Sequence, residues 1–256
     1  MHSYIPLYRT FIKKIDMRST PRIKYLLLLL VVFVSSCSQS YKIEGTSSIR
    51  MLDGKKLYIK AYSNDEWIQV DSAEIVHGNF YMTGSIDSTY MAMLFMDNNA
   101  IMPFIMEGGN LRITLSNSLF MVKGTPLNDS LYTFLENRNQ FDIDLENLKR
   151  KEARMMMNGY SIAQIQNKIE PEEKRILFEK QEHTKNFIKR NYNNILGTNT
   201  FIMLCGLMQY PIITPLIQEI LDDAPESFIS NTLIYKYVQI AEENQKLLDM
   251  RNSLLP

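Results

Sequence analysis

Residues able to do chemistry are few in this chain, and their spacing keeps them apart. There are two cysteines, Cys37 and Cys205, and past Cys37 the only histidines are His77 and His183. A histidine-based zinc site needs three or four clustered ligands. These two histidines fall in stretches of different character, so neither a metal nor a cofactor is expected. His77, beside Gly78, reads as an exposed turn residue, and His183, between Glu182 and Thr184, as a solvated helix residue. No Gly-x-Ser-x-Gly elbow, Gly-x-Gly-x-x-Gly loop or Gly-x-x-x-x-Gly-Lys phosphate cradle occurs. Cys205 lies in the apolar run Phe201–Met208 and reads as a small buried residue, not a reactive thiol. No Cys-x-x-Cys pair is present.

Two residues of one run invite closer attention. Asp71 interrupts Trp67-Ile68-Gln69-Val70-Asp71-Ser72-Ala73-Glu74-Ile75-Val76, which otherwise suits a strand. Its carboxylate has two uses there: a ligand contact on an open sheet face, or acceptance of a backbone N–H or the Ser72 hydroxyl near a bulge, the commoner of the two. Trp67 belongs with Tyr58, Tyr62, Tyr81 and Tyr90, whose rings either pack across strands or offer a stacking surface to a ligand or partner. The methionines at 91, 93, 96, 102 and 106 read mainly as adaptable core. Met155-Met156-Met157, before Asn158-Gly159, reads as an exposed adaptable contact.

Cys37 stands apart. A basic flank with Arg18, Arg22 and Lys24 precedes the apolar run Leu26–Val34, and Ser35-Ser36-Cys37 follows. That order is a secretory signal of the lipoprotein type. Nine apolar residues are too short for a spanning helix, which needs about 20. The mature protein is therefore expected to begin at Cys37 with lipid on its sulfur, and translation to start at Met17. Removing residues 1–36 takes six of the 28 Lys and Arg and one of the 28 Asp and Glu, which leaves a net charge of −5. An acidic balance disfavours nucleic acid as a partner, since its affinity rests on Lys and Arg. No acidic cluster follows Cys37, which points to a periplasm-facing anchor.

Two halves must position these groups. After a tether at 37–40, alternation and turn residues predict about eight short strands over 41–126. The clearest are Lys56–Tyr62, Trp67–Val76, Phe80–Gly84, Thr89–Met96, Ala100–Met106, Leu111–Leu115 and Leu119–Lys123, with turns at His77-Gly78-Asn79 and Glu107-Gly108-Gly109-Asn110. An antiparallel sandwich, or a jelly-roll-like barrel, buries one face of each. From 127 to 256 the apolar spacing becomes helical, giving an α+β chain. Asn128 is expected to cap the first helix and Ser161, with Gln164, the second. Pro171 is expected to kink or restart that second helix, and Asn193, Asn194 and Gly197 to end it. Further helices are predicted at Thr200–Gln209, Thr214–Leu221 and Asn231–Arg251.

Asp71-Ser72-Ala73, then Gly78-x-Phe80, Glu107-x-Gly109 and Gly124-Thr125-x-x-Asn128, in that order, resemble the domain of unknown function 4369. The resemblance spans roughly Tyr41–Asn128. It implies a β-rich domain of Gram-negative envelope lipoproteins that is commonly followed by helices and a thioredoxin-like domain. It adds Glu107 to Asp71 and Trp67 as a candidate structural or binding residue. No thioredoxin-like part with its Cys-x-x-Cys follows the helices up to Pro256, so thiol-disulfide activity is not carried over. The expected function is a lipid-anchored, non-catalytic binding or scaffolding module in the cell envelope. The alternative is an accessory of a thiol-disulfide system with a thioredoxin-like partner protein. Cys37→Ser is predicted to move the protein from the membrane fraction to the soluble fraction on cell fractionation; a variant still in the membrane would contradict the anchor.

Overall fold

The computed structural model describes residues 38–63 and 66–253. Cys37, the Leu26–Val34 run and Met17 lie outside the described residues. Eight strands come first: β1 (Gln39–Ser47), β2 (Lys56–Ser63), β3 (Glu66–Glu74), β4 (Asn79–Ile86), β5 (Tyr90–Met96), β6 (Asn99–Met106), β7 (Gly109–Leu115) and β8 (Phe120–Lys123). They form two four-stranded sheets, ordered β4-β1-β7-β8 and β3-β2-β5-β6. Alternate residues point inward and merge into one core, including Tyr41, Ile43, Phe80, Leu111 and Ile113 from the first sheet and Leu57, Ile59, Leu94 and Phe104 from the second. The result is a β-sandwich. Gln39 and Ser40, expected in the tether, already pair with Ile86 and Ser85 as strand residues.

One pairing departs from a fully antiparallel sandwich: β1 and β7 run parallel, with Tyr41 opposite Gly109 and Ser47 opposite Leu115. Parallel neighbours need a long crossover. Here β2–β6 supply it, so no local turn signal announces the pair.

The β1–β4 pair is held by a reciprocal exchange of aromatics and glycines. Gly45 faces Phe80, and Gly84 faces Tyr41. A Cβ at Gly45 would lie 2.0 Å from the Phe80 ring, and one at Gly84 2.6 Å from the Tyr41 hydroxyl oxygen. Each ring covers the backbone opposite it, so glycine is required for space and not for conformation.

The helices are α1 (Pro126–Met157), α2 (Ile162–Arg190), α3 (Ile195–Cys205), α4 (Pro215–Asp222), α5 (Glu226–Ile229) and α6 (Thr232–Ser253). Among the described residues no helix is long and apolar enough to cross a membrane. Ser161 caps α2 in a capping box with Gln164, whose side chain accepts the Ser161 N–H at 2.9 Å. Three expectations need correction. Thr125, not Asn128, is the N-cap of α1, because Pro126 already occupies the first helical position. α2 is not restarted at Pro171 but continues through it, with Leu148 and Met155 packed against Ile165, Ile169 and Ile176 on either side of the proline. Asn194 opens α3 instead of closing α2, its side chain accepting the Leu196 N–H at 2.9 Å.

His183 is half-buried and not solvated: its ring stacks on Phe134, centroids 5.1 Å apart and planes 9° from parallel. The reason is that α2 returns along α1 at this level and presents its apolar side to Phe134 and Phe141. Gly45→Ala is predicted to cost about 1–3 kcal/mol by overpacking against Phe80, read as a lower urea midpoint with an unchanged slope. An unshifted midpoint would show that the ring does not depend on this space.

Candidate functional site

The outer face of the β3-β2-β5-β6 sheet and the helices enclose a cleft of about 1100 Å³. Its floor is built from strand residues. Tyr62 and Trp67 sit opposite one another across the β2–β3 hairpin, with ring centroids 5.2 Å apart in an edge-to-face arrangement. Trp67 meets Phe95 in the same manner at 5.1 Å, and Lys60 Nζ lies 4.6 Å over the Phe95 ring. Such pairs fix ring orientation and leave part of the Trp67 indole, 47% accessible, facing the cleft. Met91 and Met93 of β5 and Pro103 of β6 continue the floor.

The opposite wall comes from α3 and its flanking turns. Ile202 and Met203 of α3 and Leu233 of α6 provide apolar surface. Asn193, Thr198, Asn199, Ser227 and Asn231 provide uncharged polar groups. Among the described residues the side chains of Asn193, Thr198 and Ser227 make no hydrogen bond, so they are free for a ligand. Asn199 spends its amide on the Ile195 carbonyl at 2.8 Å, and Asn231 its oxygen on the Leu233 N–H at 3.1 Å. Among the described residues no Asp, Glu, Lys, Arg, His or Cys lines this cleft. Tyr90 and Tyr192 are its half-buried phenols. Burial raises Tyr90, and burial with the nearby Asp223 charge pushes Tyr192 up to about 12. Both stay neutral at ordinary pH. The described lining suits a neutral, largely apolar ligand with a few hydrogen-bonding groups.

Of the residues singled out from sequence, Trp67, Tyr62, Tyr90, Met91 and Met93 meet here. Tyr81 lies exposed on the other sheet, and Met102 and Met106 are core. The helical wall was missed because nothing local announces which sheet face α3 covers.

Asp71 and Glu107 lie elsewhere. The β2–β3 register slips between Ile59–Asp71 and Lys60–Gln69, making a bulge at Val70. There Asp71 Oδ1 accepts the Ser72 N–H at 2.7 Å, while Oδ2 accepts the Tyr41 hydroxyl at 2.7 Å and ties the two sheets together. Burial first, and then this bond, raise the Tyr41 hydroxyl well above its usual value.

Glu107 is buried at the N-terminus of α1, where Oε1 accepts the N–H groups of Leu127 at 3.0 Å and Asn128 at 3.1 Å. A carboxylate there satisfies orphan donors and complements the helix dipole. Asn128 in turn bonds both backbone groups of Ile105: Oδ1 accepts its N–H at 2.9 Å and Nδ2 donates to its carbonyl at 2.8 Å. Gly109 and Gly124, with φ of +124° and +104°, shape the two turns at this junction.

Cys205 is buried, and burial pushes its thiol up to about 12 against a smaller opposing effect of the Tyr237 hydroxyl. Among the described residues no group of three or more His, Cys, Asp and Glu is placed to hold a metal ion.

Residues 41–131 match the family model described as a domain of unknown function (DUF4369). No curated protein and no solved structure matches the chain. The matched span holds the sandwich and the seat of α1, including Glu107 and Asn128, and ends before the helical wall of the cleft.

The buried Cys205, Tyr192 and Tyr237 groups, each pushed up to about 12, give alkaline sensitivity a definite sign. Their neutral forms are favoured in the fold, so their contribution is complete below the unfolded values, about 8.5 for Cys and about 10 for Tyr, and is lost as pH rises towards 12. The thermal midpoint is predicted to fall steadily above pH 9, with Cys205 resistant to thiol reagents in the native protein at pH 8. A flat midpoint together with rapid native labelling would contradict this.

Proposed function

We propose that this chain is a lipid-anchored cell-envelope lipoprotein, attached through Cys37 and facing the periplasm, that acts as a non-catalytic binding module. The observation that carries the binding role is the cleft between sheet and helices. It is preformed and floored by a fixed aromatic pair. It combines apolar walls with free amides and hydroxyls, and among the described residues no charged side chain lines it. A site of this size and character holds a small neutral ligand by shape and apolar burial, with the polar groups setting orientation. The ligand class that fits is an uncharged molecule with an extended apolar body, because a bare charge entering such a lining loses hydration without a partner.

Trp67 is the single tryptophan of the chain and lies on the floor, so its emission reports on occupancy. Titration with uncharged N-phenyl-1-naphthylamine is predicted to quench Trp67 saturably, with energy transfer to the probe. Ile202→Arg is predicted to weaken this by at least about tenfold, by placing a charge in the apolar wall, without changing the far-ultraviolet circular dichroism. Absence of saturable quenching, or binding indifferent to Ile202→Arg, would overturn the reading.

A further inference from the structure

Among the described residues the buried apolar side chains of the far half of the α1–α2 hairpin pack within the hairpin. The sandwich core takes Leu131, Tyr132 and Phe134 from the start of α1, whereas Leu148 and Met155 belong to a separate cluster with Ile165, Ile169 and Ile176 of α2. The direction of α1 follows from its bonds to β6. Asn128 holds Ile105, and one turn later the Tyr132 hydroxyl donates to the Pro103 carbonyl at 2.8 Å, so α1 runs antiparallel to β6. From Asn128 to Met157 the helix rises about 43 Å at 1.5 Å per residue. From Ile105 back to Asn99 the strand spans only about 20 Å. The hairpin therefore projects roughly 20 Å past that end of the sheet.

Its tip is a defined turn. Gly159 takes φ +78°, and the Ser161–Gln164 capping box starts α2 at once. On this rigid turn four apolar side chains face outward: Met156 at 56% accessibility, Met157 at 86%, Tyr160 at 47% and Ile162 at 74%. The only charges between Ala153 and Ile169 are Arg154 and Lys168, and neither makes an ion pair among the described residues. Further back the charges neutralise one another, as in Arg150–Glu146, Lys151–Glu172 and Lys174–Glu170. The tip is thus apolar, and the two charges nearest it in sequence are basic and form no ion pair among the described residues.

We propose that this tip seats in the headgroup layer of an anionic lipid bilayer. The four side chains offer on the order of 500 Å², short of the ~800 Å² per partner that a standard protein–protein interface buries. A narrow convex tip also lacks the flat rim such interfaces have. A bilayer accepts a convex apolar protrusion without a matching pocket, and anionic headgroups supply the counter-charge for Arg154 and Lys168. β1 begins at the opposite end of this axis, beside Gly108, whose N–H donates to the Gln39 side chain. The contact therefore involves neither the start of β1 nor the cleft.

The test moves the only tryptophan to the tip with Trp67→Phe and Ile162→Trp in the full chain. Vesicles of phosphatidylglycerol are expected to shift the emission to the blue, and brominated acyl chains to quench it. Vesicles of phosphatidylcholine alone are expected to do so far more weakly. Adding Arg154→Glu and Lys168→Glu is expected to lower the apparent affinity for anionic vesicles at least about tenfold, with the thermal midpoint unchanged. Emission that stays water-like on anionic vesicles, even when the protein floats with them, overturns the proposal, as does a shift indifferent to the charge reversal. A tip shielded only by another protein overturns it too.

Discussion

The two hydrogen bonds between the Asn128 carboxamide and the backbone of Ile105 are the constraint on which the arrangement of sheet and helices rests. β6 is an edge strand, and an edge leaves a row of unpaired N–H and C=O groups. Asn128 supplies both a donor and an acceptor in the spacing that another strand would present, at 2.8 and 2.9 Å. Two residues back along the strand, Pro103 has no N–H to satisfy, and the Tyr132 hydroxyl covers its carbonyl. Glu107, at the end of the same edge, caps the helix that performs the seal. Because Ile105 and Asn128 are both fully buried, an orphaned group would cost about 1–3 kcal/mol, so the helix has one favourable seat.

That seat decides where the rest of the helical part can go. α1 leaves the sandwich along β6, α2 returns beside it, and α3 is delivered over the outer face of β5, where it walls the cleft. The residues on which the sequence resemblance rests are thereby connected to the cleft without lining it. Glu107, Asn128, Gly109 and Gly124 build the junction, and Asp71 ties the sheets through Tyr41. The groups facing the cleft are aromatic, apolar, amide and hydroxyl side chains, more than half of them beyond residue 131.

Much of this was legible in the sequence where the signal is local. Period-two alternation located seven of the eight strands, β1 (Gln39–Ser47) being the one not singled out, and the Ser161–Gln164 spacing located the start of α2. Where the partner is distant, local reasoning chose the wrong role. Asn128 precedes an apolar run, as an N-cap does, but its partner is 23 residues away on a strand edge. Asn194 looked like a helix end because a turn and a cap use the same residue type. The β1–β7 pairing and the stacking of His183 on Phe134 likewise depend on how the whole chain folds back. Trp67 was visible as a candidate, yet the wall facing it was not, since no periodicity says which sheet face α3 covers.

The most direct test of this account is amide hydrogen exchange at Ile105 in the native protein and in Asn128→Ala. The account predicts that the Ile105 N–H belongs to the slowest-exchanging class in the native protein, exchanging only on global unfolding, and that Asn128→Ala makes it exchange faster than its core neighbours Phe104 and Leu94. An Ile105 amide that exchanges quickly in the native protein, or one whose protection survives removal of the Asn128 side chain, would contradict the claim that this side chain seals the edge and seats the helices.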